Sequence, residues 1–341
     1  MKAAVIGSTT WGTTLAIVLA RKGFPVALWT RTTAEAAALE RGRESPSLLG
    51  IPFPSTLSVT DSLPEAIQGA DLVVLAAPSQ SMRQNIRLVA PHLKGSPVLL
   101  SLAKGLETGT GLRMSQVMAS EMPVRLHSHI AVLSGPNLAR EIVRALPAAT
   151  IVAAAMPETA EHARDILSTP KLYVYTSEDV AGVELGGALK NVIAIAAGMV
   201  ETLGYGDNAK AALMTRGLAE MMAFGAACGA APDTFLGLSG MGDLVVTCAS
   251  PLSRNHRVGI ELAKGRSLEE VQADMREVAE GVHTTTAARE LARRLGVSAP
   301  IAEQLYRVLF EGGEPRQAVH DLLWEQGAVR LPVQPPVHFK E

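Results

Sequence analysis

The first half of the chain alternates short apolar runs with stretches of helical period. "KAAVIG" leads into a helical pattern from about Trp11 to Lys22, and "FPVALWT" into another from Thr33 to about Arg41. "ADLVVLAA" from Ala70, "SPVLLSLA" from Ser96, "HIAVLSG" from His129 and "AATIVAAA" from Ala148 continue the series. Strands apolar on both faces and separated by helices predict a parallel sheet covered on both sides. Such sheets bind ligands beyond the carboxyl ends of their strands, so the informative residues are expected just after each run. The stretch "RESPSLLGIPFPS" (43–55) reads as a long, proline-punctuated loop.

After Glu178 the pattern changes. "EDVAGVELGGALKNVIAIAAGMVETLG" and "NAKAALMTRGLAEMMAFGAACG" are apolar nearly all round and predict buried helices, with no strand-like alternation after them. A boundary near 178–182 therefore separates a sheet domain from an all-helical one. The tail "RLPVQPPVHFKE" is proline-rich and reads as irregular.

Composition narrows the class. A chain of 341 residues has room for two domains, and 48% hydrophobic with 19% charged residues describes a well-cored globular protein. The net charge of −2 leaves no global basic field for nucleic acid or an anionic membrane, so any anion recognition must be local. Cys228 and Cys248 make no disulfide framework and suit a reducing cytosol. No signal-peptide pattern precedes the first strand, and the apolar stretch Val192 to Val200 reads as too short and too rich in Gly and Ala to cross a bilayer. A soluble cytoplasmic protein is expected. The eight histidines are scattered without metal-ligand spacing, and "HSH" at 127–129 reads as a loop entering a strand; no metal is expected.

The candidate chemistry begins at the opening turn, "IGSTTWG". Gly7 and Gly12 fit the strand-turn-helix fingerprint G-x-G-x-x-G that receives a dinucleotide pyrophosphate, but Thr9 stands at the middle glycine. The helix N-terminus still offers N–H groups and a positive dipole end to an anion, and Ser8, Thr9 and Thr10 add hydroxyls. Thr9 is expected to be tolerated at some cost in affinity. The sheet domain is thus expected to be a Rossmann-like dinucleotide-binding domain over 1–180, followed by a helical substrate-binding and catalytic domain over 181–329 and an irregular tail over 330–341. Arg31 ends the second strand where NAD binders carry an acid, which favours the 2′-phosphate of NADP(H) over NAD(H).

Lys104 follows a predicted strand directly. Lys190 interrupts the apolar helix "GGALKNVIAIAAG", where an ammonium must snorkel, pair or work. Burial and a neighbouring cation would lower its pKa toward the range of a general acid. In "GLSGMGDLVVTCASPLSRNHRVG" (237–259), Asp243 is expected on a flexible turn, and Ser253, Arg254 and Asn255 offer phosphate-binding groups if they open a helix. Cys248 reads as a packed thiol, since no base can be assigned to it.

Taken together, "IGSTTWGTTLA", "SLAKGLE", "SGPNLAREI", "ALKNVIAIAAG", "GDNAKAALMTRGLAEM", "GLSGMGDLVVTCASPLSRN" and "EVAEGVHT" resemble, in order, the bacterial NAD(P)-dependent sn-glycerol-3-phosphate dehydrogenases. The resemblance covers residues 1 to about 325. It implies reduction of dihydroxyacetone phosphate to sn-glycerol 3-phosphate, a phospholipid precursor, with a nicotinamide cofactor. It also implies Lys190 as proton donor and acceptor, Lys104 touching cofactor and substrate, and Gly135, Asp243, Ser253, Arg254 and Asn255 as substrate contacts. Arg254 would also approach the cofactor. Thr10, Trp11, Arg31, Ala139, Val278 and Glu280 match cofactor-contacting positions. Asn137 replaces the family's usual Ser or Thr in "SGPN" and keeps a polar side chain at a substrate position. A homodimer is expected from the apolar helices of the second half.

The family's turn is normally G-A-G-S-W-G and its early loop N-P-x-Y-L-P-G; here Thr9, Leu48 and Gly50 depart from both. Two rival readings remain open: a reductase of hydroxyacid or ketopantoate type, and a cofactor-binding redox sensor that has lost catalysis.

Overall fold

The structure, a computed structural model, describes residues 1–275 and 278–324. The irregular tail expected over 330–341 lies outside them. Eight strands form one sheet: β1 (Ala3–Ile6), β2 (Val26–Trp29), β3 (Leu57–Thr60), β4 (Leu72–Leu75), β5 (Val98–Ser101), β6 (Ile130–Ser134), β7 (Ala148–Ala154) and β8 (Leu172–Ser177). Their order is β3-β2-β1-β4-β5-β6-β7-β8, so the chain reverses direction across the sheet between β1 and β4, where such folds open a ligand crevice.

Helices α1 (Thr10–Arg21) and α2 (Thr33–Gly42) pack on one face. The opposite face carries α3 (Leu63–Ile67), α4 (Met82–Val89) and α5 (Met114–Glu121). The short α6 (Ala139–Ile142) and α7 (Pro157–Leu167) return to the first face. The central strands β1, β2, β4, β5 and β6 are buried throughout, which is why they are unbroken apolar runs in the sequence.

Two predictions about the sheet need correction. It is not wholly parallel: β6 and β7 pair antiparallel, because only the four-residue α6 lies between them and no full crossover helix carries the chain back. Two strands were also missed. β3 buries only Leu57, and β8 alternates Leu172 and Val174 inward with Tyr173 and Tyr175 outward. Both are edge strands with one covered face, so neither shows an apolar run.

The second half is helical: α8 (Val180–Thr202), α9 (Gly206–Ala227), α10 (Asp243–Ala249), α11 (Arg254–Ala263), α12 (Leu268–Ala273), α13 (Glu280–Leu295), α14 (Pro300–Phe310) and α15 (Pro315–Trp324). Around α8 pack α9, α10, α11, α13 and α14. Its N-terminal end lies on the sheet, with Val183 against Val132 and Ala153. At 23 residues α8 is long and apolar enough to cross a membrane, contrary to the expectation of too short a stretch, but 94% of its apolar window is buried inside the protein. The other long helix departs from its prediction. α9 buries only Leu213, Gly217, Glu220, Met221, Phe224 and Gly225, and its alanines 211, 212, 223, 226 and 227 are exposed. Alanine gives helix propensity with little area to bury, so an all-apolar helix need not be an interior one.

Candidate active site

The opening turn is built for close approach. Gly7 has φ +110°, outside the range of most side chains, and a Cβ on Gly12 would sit 2.4 Å from the Ala76 Cβ. Thr9 takes φ −58° and ψ 156°, which any residue adopts, and is the N-cap of α1. Its hydroxyl accepts from the Gly12 N–H at 3.1 Å and donates to the Ala76 carbonyl at 3.0 Å. Thr9 therefore does not distort the turn. Trp11 follows on the first turn of α1 with its indole Nε1 buried and unpartnered. Ala139 reaches the same helix, its carbonyl accepting from Thr14 Oγ1 at 3.4 Å. Two glycines in the turn, a helix N-terminus and an unpaired indole N–H fit a dinucleotide.

Arg31 lies exposed just past β2, with no partner among the described residues. Glu280, the first residue of α13, reaches back to the sheet domain. Its carboxylate accepts from the Ser79 backbone N–H at 2.9 Å and from the Ser79 hydroxyl. The carbonyl of Val278 accepts from Arg254 Nη1 at 2.9 Å. The two segments expected to meet the cofactor from the second half are thus joined.

At the carboxyl ends of β5 and β6 three charges meet. Lys104 Nζ donates to Asp243 Oδ2 at 2.7 Å and to the Gly135 carbonyl at 2.8 Å. Lys190 Nζ donates to Asp243 Oδ1 at 2.9 Å and to Thr247 Oγ1 at 2.7 Å. Asp243 is not on a flexible turn, as its Gly-Met-Gly setting suggested. It opens α10 after a π-turn (Leu238–Gly242) whose Ser239 and Gly240 are buried, and is 1% exposed, because the turn packs against α8 and the sheet. Burial alone would push its carboxyl up; the two ammoniums outweigh that and hold it below the usual carboxylate range. Burial is also the chief influence on Lys190. Aided by the charge of Lys104 and opposed by Asp243, it lowers the ammonium to about 8. The triad carries a net local positive charge in a chain of net charge −2.

An amide relay ties this centre to α11 and α13. Asn191 Nδ2 donates to the Lys104 carbonyl at 3.0 Å, Asn255 Nδ2 donates to Asn191 Oδ1 at 2.7 Å, and the Gly281 N–H donates to Asn255 Oδ1 at 2.9 Å. Asn255 is therefore a buried connector between α8 and α13. Ser253 caps α11, accepting from the His256 N–H at 3.2 Å, so Ser253, Arg254 and Asn255 do open a helix. Asn137 donates from Nδ2 to Thr150 Oγ1 at 3.0 Å, while its Oδ1 is buried without a partner. Cys248 is fully buried and its thiol is pushed up to about 12 by that burial, as befits a packed group. The 43–55 segment forms turns and holds no strand or helix.

Sequence reasoning missed Thr247, Asn191 and Ser79. The first two had readable signals: Thr247 stands four residues after Asp243 on one helix face, and Asn191 is a second polar residue in the apolar helix of Lys190. Ser79 had none, since only the fold brings it to Glu280.

A doubly covered sheet with a dinucleotide turn, and a buried lysine at the carboxyl ends of its strands, defines a nicotinamide-dependent oxidoreductase. Comparison with known proteins agrees. Residues 2–160 match the N-terminal model, and residues 179–320 the C-terminal model, of NAD-dependent glycerol-3-phosphate dehydrogenase. The glycerol-3-phosphate dehydrogenase [NAD(P)+] of Dehalococcoides mccartyi is 51% identical over 97% of this chain and 92% of its own. That of Moorella thermoacetica is 51% identical over 91% of each. The crystal structure of glycerol-3-phosphate dehydrogenase from Coxiella burnetii superposes with a TM-score of 0.90 at 34% identity, covering 95% of this chain and 99% of that one. The chain belongs to the NAD-dependent glycerol-3-phosphate dehydrogenase family.

Proposed function

We propose that the protein reduces dihydroxyacetone phosphate to sn-glycerol 3-phosphate, reversibly, supplying the glycerophospholipid backbone. The observation that carries the mechanism is the bridging of Lys104 and Lys190 by one buried carboxylate, Asp243. Bound NADPH or NADH supplies a hydride to the ketone carbon. Lys190 gives its proton to the carbonyl oxygen as negative charge develops there, and in the reverse direction takes it back. An ammonium lowered to about 8 suits both tasks near neutral pH. Asp243 and Thr247 aim that ammonium, each within hydrogen-bond reach of its Nζ. Lys104, Arg254 and the remaining Asn255 N–H hold the phosphate and hydroxyl groups, with Ser253 setting the start of α11. Gly135 and Asn137 border the substrate from the β6 side.

The residues supporting the cofactor are Gly7, Thr9, Thr10, Trp11, Gly12, Ala139, Val278 and Glu280. Arg31, exposed beyond β2 with no acid beside it in sequence, favours the 2′-phosphate of NADP(H). The working division is a cofactor domain over 1–180 and a catalytic domain over 181–329. A homodimer is part of the same reading, supported by the small-residue outer face of α9; sedimentation velocity tests it. The rival reading as a catalytically silent sensor is disfavoured by the intact Lys-Asp-Lys centre. The test is NADPH and NADH oxidation with dihydroxyacetone phosphate. Robust turnover supports the reading; binding without turnover sinks it.

A further inference from the structure

The threonine at the middle position of the dinucleotide turn is more than a tolerated substitution. We propose that Thr9 is a positioning residue that locks the turn in its ligand-ready shape before any nucleotide arrives. The inference rests on the reading of this turn as the cofactor site.

Two parts of the crevice rim meet at the Thr9 hydroxyl, and a third packs against its acceptor. It accepts from Gly12 on α1 and donates to the Ala76 carbonyl just past β4, and that carbonyl oxygen would lie 2.9 Å from a Cβ on Gly7 at the end of β1. The hydroxyl therefore cross-links α1 to β4 at the point where strand order reverses. A glycine at position 9 could make neither bond. It would also free the backbone to visit φ > 0, away from the observed φ of −58°, whereas a β-branched residue stays in the extended region.

Such a lock has a thermodynamic consequence. If only a fraction of the cofactor-free protein holds the turn in shape, the apparent dissociation constant rises by the inverse of that fraction. The two hydrogen bonds of the Thr9 hydroxyl hold that fraction high. Removing them is expected to weaken nucleotide binding by roughly 3- to 10-fold. The cost of the extra Cβ, which the sequence alone led one to expect, is offset because Thr9 turns its hydroxyl toward the protein.

The experiment compares wild type with Thr9→Ser, Thr9→Val and Thr9→Gly. NADPH and NADH dissociation constants come from nucleotide fluorescence, and amide hydrogen exchange of the 7–15 segment is followed in the cofactor-free protein. The expected result is near-wild-type affinity and slow exchange at Gly12 for Ser. Val and Gly should bind 3- to 10-fold more weakly and exchange faster, and both should raise KM for the nucleotide while leaving kcat within about twofold. A purely structural role would not produce that KM-against-kcat split with rescue by serine. Tighter binding by Thr9→Gly, or wild-type affinity in Thr9→Val, overturns the inference alone. A wild-type protein that binds neither nucleotide overturns the cofactor-site reading and this inference with it, even if the exchange data reveal the lock.

Discussion

Lys190 Nζ lies 2.9 Å from Asp243 Oδ1, one group on the buried α8 and the other at the first turn of α10, both below 10% exposure. Breaking such a buried pair from one side leaves the other charge uncompensated. Asp243→Asn would leave two ammoniums facing each other without a counter-charge and drive Lys190 further below about 8. Turnover at pH 7 is expected to fall by at least about 100-fold, with the active limb displaced toward acid. Steady-state rates from pH 5.5 to 9.5 read both effects.

Removal of the proton donor itself makes a cleaner separation. Lys190→Ala is expected to lower kcat by roughly 10²–10⁴-fold. The NADPH dissociation constant should stay within about twofold, because none of the hydrogen bonds of Lys190 reaches the glycine turn. Near-normal turnover would remove Lys190 from the mechanism.

The two directions of the reaction should have opposite pH dependence. Reduction needs Lys190 protonated, so its rate is expected to fall as pH rises through about 8; oxidation needs the neutral amine and should rise over the same interval. Initial rates measured in both directions across that range check the sign.

Glu220 offers a stability test outside the site. Its carboxylate, on α9, accepts from the N–H groups of Ile301 at 2.8 Å and Ala302 at 3.2 Å at the start of α14. Burial pushes it up to about 7 against the pull of those bonds. The folded protein therefore binds more protons than the unfolded chain between the ordinary carboxyl value of 4.5 and about 7. That stability is complete below the lower value and is lost as pH rises through the upper one. Glu220→Gln is expected to flatten the dependence of Tm on pH between 5 and 8, as thermal melts would show.

The approach of α11 to α8 links packing to substrate binding. A Cβ on Gly259 would sit 1.9 Å from the Ile195 carbonyl oxygen, so Gly259→Ala must push α11 away. Overpacking of this kind costs about 1–3 kcal/mol and would move Ser253, Arg254 and Asn255 at the head of the helix. A lower Tm with a KM for dihydroxyacetone phosphate raised several-fold is expected. Unchanged values of both would show that α11 is not held by this contact.

Local pattern determined much of this protein. The central strands, the glycine turn, Lys190 in its apolar helix and the helix opened by Ser253 are all legible, because each is set by the residue's own chain neighbours. Edge strands β3 and β8 were not, since burial on one face leaves no apolar run to read. Thr9 was legible by its place but not by its partners: sequence shows the added Cβ, while the Ala76 carbonyl that receives its hydroxyl lies 67 residues away. The same holds for Asp243, whose glycines suggested a mobile turn until packing against α8 and the sheet fixed it between two lysines. Chain neighbours specify the elements and the types of side chain they carry. Which charge meets which, and what burial does to them, is decided by contacts across tens of residues, and these exist only once the hydrophobic layers have closed.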